Sequence, residues 1–163
     1  MHKIGIEMDN NPEIRIRFAS VSDSSFIRDL STKAFSPFGD YGEVVLSWFC
    51  SGKIITVIAC YEDNPLGFAM VSSPFSRYDH NCSSELLAIA IESAWQGRGI
   101  GKLLIKEIEK AAITAGIMTV FLHTAVGNRN ARKLFLDTGY RIWQIKNNFY
   151  PRGQDACVMA KKL

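Results

Sequence analysis

Three glycines fall within five residues in the segment Gln96-Gly97-Arg98-Gly99-Ile100-Gly101-Lys102, between an apolar run and an amphipathic stretch. Glycine lets a backbone approach a ligand closely, and the free N–H groups at the start of a helix point outward toward it. The helix dipole favours a negative group there by about 0.3–1 kcal/mol. The segment is therefore typical of a site for a phosphate or diphosphate. The alternative is a glycine turn that only reverses the chain.

Two common phosphate-binding motifs are excluded by the spacing. A P-loop needs a glycine five residues before its Gly-Lys pair and Ser or Thr after the lysine, but Gln96 and Leu103 stand at those positions. The fingerprint G-x-G-x-x-G fails as well, because its last glycine would be Lys102 or Leu104. The ligand must therefore be held in another way.

The spacing Gln96-x-x-Gly99-x-Gly101 resembles the acetyl-CoA signature Q/R-x-x-G-x-G/A of the GNAT N-acetyltransferases. The resemblance covers residues 14–163, in the family's order and spacing, and the C-terminal Phe149-Tyr150-Pro151 is similar to the bacterial ribosomal-protein alanine N-acetyltransferases. It implies a fold of the α/β (α+β) class. The expected core is a mixed, mostly antiparallel sheet flanked by helices, with a splay between its fourth and fifth strands.

The resemblance also implies acetyl-CoA as the co-substrate and no metal. The pantetheine arm would lie in the gap of the sheet, where Ile89, Ala90 and Ile91 are expected to present backbone groups to it. Residues 97–102 are expected to surround the diphosphate with backbone N–H groups. This agrees with the physics, because amide dipoles hold a polyanion without a metal.

Three side chains near this loop have two interpretations each. Arg98 and Lys102 either add positive charge at the rim of the diphosphate site or are ordinary solvated surface. Asn128 matches the family's asparagine that contacts the cofactor, and it is also placed to cap the helix that follows it.

The implied reaction is direct attack by a primary amine on the thioester within a ternary complex. The amine is protonated at neutral pH, and a positioned general base typically contributes about 10²–10⁴-fold to such a rate. Glu85 is the first candidate base, because its spacing to Gln96 matches the catalytic glutamate of histone-type family members. Strand alternation predicts that it shares a face with Leu87 and Ile89. The alternative is an ordinary carboxylate at the end of a strand.

His123 is the second candidate base. It is expected to end the fifth strand, at the position where the ribosomal-protein enzymes carry their catalytic glutamate. A neutral imidazole can accept a proton directly or through a water. The alternative is a structural histidine, and the change from glutamate separates this chain from strict membership of that subfamily.

Many family members carry a tyrosine that protonates the departing thiolate, but this chain has Phe135 at that position. Another group must therefore donate the proton. Tyr150, on the loop expected to flank the acceptor, and Tyr140, in a position typical of core packing, are the candidate replacements. Solvent is the third option. A covalent route through Cys82 and nearby His80 has no third group to orient the pair.

The sequence thus predicts an N-acetyltransferase whose acceptor is a protein N-terminus or a peptide. A small-molecule amine as acceptor and a non-catalytic CoA-binding module are the alternatives. We expect a cytoplasmic protein that binds neither nucleic acid nor membrane, and a homodimer is one of the oligomeric states that the sequence leaves open.

Apolar periodicity and turn residues predict the elements that position these groups. We expect one acetyltransferase domain over residues 1–163, loosely ordered over 1–13. The predicted elements are a strand at 14–18, a helix after an N-cap at Ser22-Asp23-Ser24, a helix at 42–50, strands at 54–61, 66–72 and 85–91, a helix at 99–115, a strand at 117–123, a helix at 128–137, and strands at 140–149 and 156–160.

Composition excludes several other classes of protein. The chain has 163 residues, 47% hydrophobic and 21% charged, which is ordinary for a globular protein and unlike disordered, collagen-like or coiled-coil chains. A net charge of +3 is too mild to indicate nucleic-acid binding by itself. The four cysteines form no CxxC pair, so we expect no zinc site and a reducing compartment. No stretch resembles a signal core or a bilayer span.

Overall fold

The computed structural model describes residues 13–74 and 82–163. Within these residues, four α-helices surround one seven-stranded sheet in the order β1-β2-β3-β4-β5-β7-β6, and only the β4–β5 pair is parallel. The elements are β1 (Ile14–Phe18), α1 (Ser24–Phe35), α2 (Gly42–Cys50), β2 (Ile54–Tyr61), β3 (Asn64–Ser72), β4 (Ser83–Ile91), α3 (Ile100–Thr114), β5 (Thr119–Ala125), α4 (Arg129–Asp137), β6 (Arg141–Lys146) and β7 (Ala156–Lys162).

The predicted element order is confirmed, several boundaries differ by one to three residues, and two of these differences have an identifiable physical reason. Strand β5 begins two residues later than predicted, because the N–H of Ile117 still closes the end of α3 by donating to the carbonyl of Ala112. Strand β6 ends at Lys146, because Asn148 has a left-handed backbone and donates its N–H to the Asp155 carboxylate. The prediction of loose order at the N-terminus concerns residues that lie almost wholly outside the described part.

The sheet separates two apolar cores. Helix α3 covers one face with side chains at helical spacing, including Ile100, Leu104 and Ile108, and α4 adds Phe135 to the same core. Helices α1 and α2 cover the other face through Ile27, Leu30 and Val45. Each such buried side chain contributes about 1.5–3 kcal/mol to the free energy of unfolding. Both ends of β4 are therefore held between rigid layers.

A β-bulge at Leu87 separates β4 from β5. In the β3–β4 ladder Val71 faces Leu86 and Met70 faces Ala88, so Leu87 has no partner. The parallel pairing of β4 with β5 ends at the same level, at Leu86 opposite Leu122. An extra residue bends a strand and increases its twist, so the second half of β4 diverges from β5 and opens the sheet. The predicted splay between the fourth and fifth strands is confirmed.

The bulge also corrects which residues share a face with Glu85. Leu86 and Ile89 pack in the core beneath α3, but Leu87, Ala88 and Ala90 pack in the core beneath α1 and α2. Alternation therefore breaks between Leu87 and Ala88, and Glu85 lies with Leu87 on the α1–α2 face. Strict period-two counting is right for Leu87 and wrong for Ile89, because one residue is inserted.

An ion pair ties β1 to the start of α1. The sequence predicts Asp23 as part of a helix N-cap, but its side chain makes no capping bond to α1. Its two carboxylate oxygens instead accept 2.8 Å hydrogen bonds from the guanidinium of Arg17, and one also accepts from the N–H of Ser20 at 2.8 Å. Asp23 is 4% exposed, so these bonds replace its hydration.

We expect Asp23→Asn to lower the free energy of unfolding by about 1–2 kcal/mol in urea at pH 7, a value discounted because Arg17 is partly exposed. Hydrogen bonds from Arg17 lower the pKa of the Asp23 carboxyl. The stabilisation is therefore complete above the unfolded pKa of about 3.9 and is lost as pH falls through the folded value. Asp29→Asn, at an exposed pair with Arg28, is the control. Equal losses in the two variants would contradict this role of Asp23.

Candidate active site

A cleft of about 1010 Å³ lies where β4 and β5 diverge, bounded by α1, α2, the loop before α3, α4 and the segment between β6 and β7. Arg98 is missing from its lining. The sequence-predicted residues that line it are Glu85, Ile89, Ala90, Ile91, Gly97, Gly99, Ile100, Gly101, Lys102, His123, Asn128 and Tyr150.

The glycine loop presents an open backbone surface to this cleft. Gly97 and Gly99 have φ of 75° and 80°, a left-handed conformation that favours glycine, and a Cβ on either would meet nothing within 4 Å. The N–H of Leu103 donates to the carbonyl of Gly99 at the start of α3, so the N–H groups before it have no partner within the helix. The side chain of Gln96 anchors the loop by donating to the carbonyl of Ile91 at 3.0 Å.

The backbone of β4 faces the gap at Ile89 and Ile91 but not at Ala90. The carbonyl of Ile91 points away from β3, since it accepts from Gln96. A Cβ on Gly67 of β3 would come within 2.7 Å of the carbonyl oxygen of Ala90, so this carbonyl points toward β3 and not into the gap. The backbone N–H and C=O groups of successive residues in a strand point to opposite edges, so those of Ile89 face the gap together with those of Ile91. This corrects the expectation for Ala90.

The side chains around the loop have other partners. The guanidinium of Arg98 stacks 4.7 Å from the ring centre of Trp95, outside the cleft. The ammonium of Lys102 lies 3.5 Å from the carboxylate of Asp137. The side-chain oxygen of Asn128 accepts the N–H of Ala131 at 3.2 Å, so Asn128 caps α4 and lines the cleft as well.

The two candidate bases are in contact with each other. Nδ1 of His123 lies 2.8 Å from Oε1 of Glu85, and their side chains are 12% and 25% exposed. His123 lies two residues before the end of β5 rather than at its end, which corrects the predicted position. Register places it near Glu85, because the β4–β5 ladder aligns Glu85 with Phe121 just before the strands diverge.

Two residues that sequence reasoning missed complete this group. The ammonium of Lys146 on β6 lies 3.1 Å from Nε2 of His123. The ring of Phe149 stacks on the imidazole with centroids 4.5 Å apart and planes at 4°. No sequence signal links these positions to His123, because their contact depends on β7 lying between β5 and β6 in the sheet.

These contacts fix how the proton is carried on His123. A carboxylate accepts and a lysine ammonium donates, so Nδ1 carries the hydrogen and Nε2 accepts from Lys146. Both ring nitrogens are then engaged. A carboxylate has two oxygens, so Oε2 of Glu85 remains available to a substrate.

The two candidate proton donors differ in their position relative to the cleft. Tyr150 lines the cleft, and burial, with smaller contributions from nearby Tyr41 and Glu85, raises its pKa above the usual value for a phenol. Tyr140 is completely buried against Phe135 and does not line the cleft, so it is excluded as the donor. For the covalent route through Cys82, the required His80 lies outside the described residues.

Two further features of residues 13–74 and 82–163 concern metals and membranes. No group of three or more His, Cys, Asp or Glu side chains is arranged to hold a metal ion in this part of the chain. Nor does any helix there have the length and apolarity needed to cross a bilayer.

The fold and the cleft geometry agree with what comparison with known proteins finds. A family model described as "Acetyltransferase (GNAT) family" matches residues 24–140. The chain belongs to this family. The match includes β4, the glycine loop, α3 and α4, so the resemblance drawn from the acetyl-CoA signature is confirmed.

Individual curated relatives match only part of this chain. The [ribosomal protein bS18]-alanine N-acetyltransferase of Salmonella typhimurium is 32% identical over 78 residues, which are 46% of this chain and 53% of the relative. The chain thus spans about half the length of that curated relative.

Solved structures match over nearly the whole length. The ribosomal-protein-S18-alanine N-acetyltransferase of Escherichia coli superposes with a TM-score of 0.75 at 20% identity, covering 92% of this chain and 94% of that one. A GNAT acetyltransferase of Elizabethkingia anophelis with acetyl-CoA bound gives 0.74 at 21% identity, covering 96% and 100%. The predicted fold class is confirmed.

Proposed function

We propose that this protein transfers the acetyl group of acetyl-CoA to a primary amine, with a peptide or protein N-terminus as the acceptor. The observation that carries the proposal is the Glu85–His123 pair in the same cleft as the open N–H groups of residues 97–102. One site thereby combines a base with an anion-binding loop. The acceptor named for the bacterial relatives supports a protein N-terminus and a cytoplasmic location.

Coenzyme A fits the residues that are present. The N–H groups of residues 97–102 and the dipole of α3 would hold the diphosphate, where Gly97 and Gly99 leave open space. The exposed backbone edge at Ile89 and Ile91 would hydrogen-bond the amides of the pantetheine arm, as an added strand does. Bound in this way, the thioester supplies an activated acetyl group within reach of an amine next to Glu85.

Glu85 acts as the general base. Its free oxygen takes a proton from the incoming ammonium, directly or through a bridging water, and the neutral amine then attacks the acetyl carbonyl. As the C–S bond breaks, the nitrogen releases its second proton to solvent, which protonates the thiolate. His123 does not face the substrate with a free nitrogen, since Glu85 and Lys146 engage both. His123 is therefore a positioning residue that holds the carboxylate of Glu85 by donating from Nδ1.

Lys146 holds His123 from the side opposite Glu85, and its removal tests the arrangement. In Lys146→Met, Nε2 of His123 loses its donor, so the imidazole and the carboxylate that it holds are less well oriented. We expect kcat/KM to fall about five- to tenfold, with the acetyl-CoA Kd within about twofold of the unmodified protein.

Two further variants show whether this effect is specific. Lys146→Arg keeps a donor to Nε2 and should largely retain kcat/KM, and Lys110→Met removes an exposed lysine paired with Glu107 on α3 as a control. An equal loss in Lys146→Met and Lys146→Arg would mean that the hydrogen bond to Nε2 does not hold the Glu85–His123 pair in place.

Tyr150 assists departure of the thiolate. Its raised pKa keeps the phenol protonated throughout the working range of the enzyme, so it can donate a hydrogen bond to the sulfur. It replaces the tyrosine that Phe135 cannot supply. Solvent then completes the protonation of the thiol.

The proposal is tested by two measurements on the intact protein. Calorimetric titration should detect binding of acetyl-CoA, and thiol release should rise on addition of peptides or small amines. Absence of acetyl-CoA binding would remove the proposal. Binding without turnover on any acceptor would favour a non-catalytic CoA-binding module, and turnover with small amines alone would favour the small-molecule alternative.

A further inference from the structure

Aromatic side chains surround the end of the cleft that contains Glu85. They come from α1, the α1–α2 connection, α2 and the segment between β6 and β7. We call them the aromatic wall, and they are Phe35, Phe38, Tyr41, Trp48, Phe149 and Tyr150.

Five of the six rings of the wall form two sets of ring contacts. Phe149 stacks on His123, contacts Tyr150 edge-on at 5.0 Å between centroids, and Tyr150 contacts Phe38 at 5.3 Å. Phe35 and Tyr41 form a second edge-on pair at 6.1 Å. Such pairs contribute about 0.5–1.5 kcal/mol beyond their buried area. The rings are therefore held in place before a ligand arrives.

The α1–α2 connection and the segment between β6 and β7 also touch through a hydrogen bond and a close contact. The side-chain amide of Gln154 donates to the carbonyl of Pro37 at 2.7 Å. A Cβ on Gly39 would come within 3.1 Å of the ring of Pro151, so the segments touch. The α1–α2 connection and the segment between β6 and β7 are therefore in contact on this side of the cleft.

Charge is distributed unevenly along the cleft. Among the described lining residues, the other ionised side chains are Lys102, Lys133 and Asp137, which lie on α3 and α4 and pair with one another. Glu85 is the charged lining residue next to the aromatic wall, and the ammonium of Lys146, which does not line the cleft, lies 5.6 Å from the ring centre of Phe149 and 3.1 Å from Nε2 of His123. This end of the cleft offers one carboxylate, a phenol and apolar ring faces.

We propose, on the basis of the proposed function, that the acceptor is a primary amine whose amino-bearing carbon carries a large apolar or aromatic group. The ammonium would approach Glu85 and the ring faces, which attract cations, while the apolar group packs against the cleft-facing sides of the aromatic wall. A free amino acid would need a cationic partner for its carboxylate, and a polyamine a second anion. Neither lines this end of the cleft among the described residues, and the ammonium of Lys146 outside the lining is already engaged by His123.

Two sources fit this chemistry, and the test separates them. A peptide whose first residue is Phe, Leu or Met has such an amine, and so has an arylalkylamine. We would measure kcat/KM by thiol release for peptides that differ only in the first residue, Phe against Ser, and for phenethylamine against ethanolamine. One extra apolar group in a pocket is worth about 10–200-fold in discrimination.

The expected result is a preference of about tenfold or more for the apolar member of at least one pair. The pair that shows it identifies the source as peptide or small amine. Equal rates, or a preference for Ser and ethanolamine, would overturn this inference and leave the proposed function intact. No turnover with any acceptor, although acetyl-CoA binds, would overturn the proposed function and this inference with it.

Variants of Phe38 connect the preference to the wall. Phe38→Ser should reduce the apolar-to-polar ratio of kcat/KM about fivefold or more, and Phe38→Leu, which keeps an apolar side chain, should largely retain it. Phe18→Ser is the matched control, since Phe18 lies exposed on β1 away from the cleft. An unchanged ratio in Phe38→Ser, with acetyl-CoA binding intact, would contradict the role of the wall.

Discussion

Glu85→Gln should reduce kcat by about 10²–10³-fold, within the range that a positioned general base contributes. The amide has nearly the same shape as the carboxylate, and its oxygen can still accept from Nδ1 of His123 at the observed 2.8 Å contact. Folding and the orientation of His123 should therefore persist. What is lost is the oxygen that takes the proton from the amine, so steady-state turnover at saturating acetyl-CoA is the measurement.

Controls separate loss of the base from loss of structure or binding. Glu107→Gln changes a residue that pairs with Lys110 on the solvent-facing side of α3, and this variant should turn over at the unmodified rate. Calorimetry should give an acetyl-CoA Kd for Glu85→Gln within about twofold of the unmodified protein, because Glu85 lies on the acceptor side of the cleft. If Glu85→Gln keeps a third or more of the turnover while His123→Asn loses it, the two roles are reversed.

Gly99→Ala should weaken acetyl-CoA binding about tenfold or more, equivalent to about 1.4 kcal/mol. The new methyl group enters space that is empty within 4 Å, at the point where the loop begins α3 and where the diphosphate is proposed to lie. Its direct cost is steric exclusion of the ligand from the free N–H groups. Titration calorimetry with acetyl-CoA measures the effect.

The left-handed backbone at Gly99 also makes alanine unfavourable there by about 1–2 kcal/mol, and Gly116 offers a control for this strain. Gly116 has φ of 85°, an equally open surrounding, and a position at the far end of α3. Gly116→Ala should lose similar stability and bind acetyl-CoA normally. Equal affinities in the two variants would contradict a diphosphate site at Gly99.

Local sequence signals predicted most of the fold. The spacing of apolar residues located α3, and the glycines after it and before it located its ends within a residue. The family resemblance predicted the splay of the sheet, which a β-bulge at Leu87 produces. The bulge itself has no mark in the sequence, since Leu87 is as apolar as its neighbours. For this reason strict alternation wrongly puts Ile89 on the face of Glu85, which is the third residue of β4 rather than its first.

The candidate site was predictable only in part for a similar reason. Glu85 and His123 could be singled out individually, but their 2.8 Å contact depends on the register of a parallel pair 38 residues apart in the chain. Lys146 reaches His123 across β7, from an edge strand whose side chains are all exposed. A contact across an intervening strand leaves no periodic signal. Sheet order, rather than residue type, determines which side chains surround the base.

The proposed reaction depends on backbone N–H groups at residues 97–102 that hold the diphosphate of coenzyme A. This contact can be measured by titrating ¹⁵N-labelled protein with acetyl-CoA and following the amide chemical shifts. We expect the largest shifts at residues 97–102, with further shifts at Ile89 and Ile91 on the open edge of β4. Shifts concentrated elsewhere, with residues 97–102 unmoved at saturation, would contradict the site and the reaction built on it.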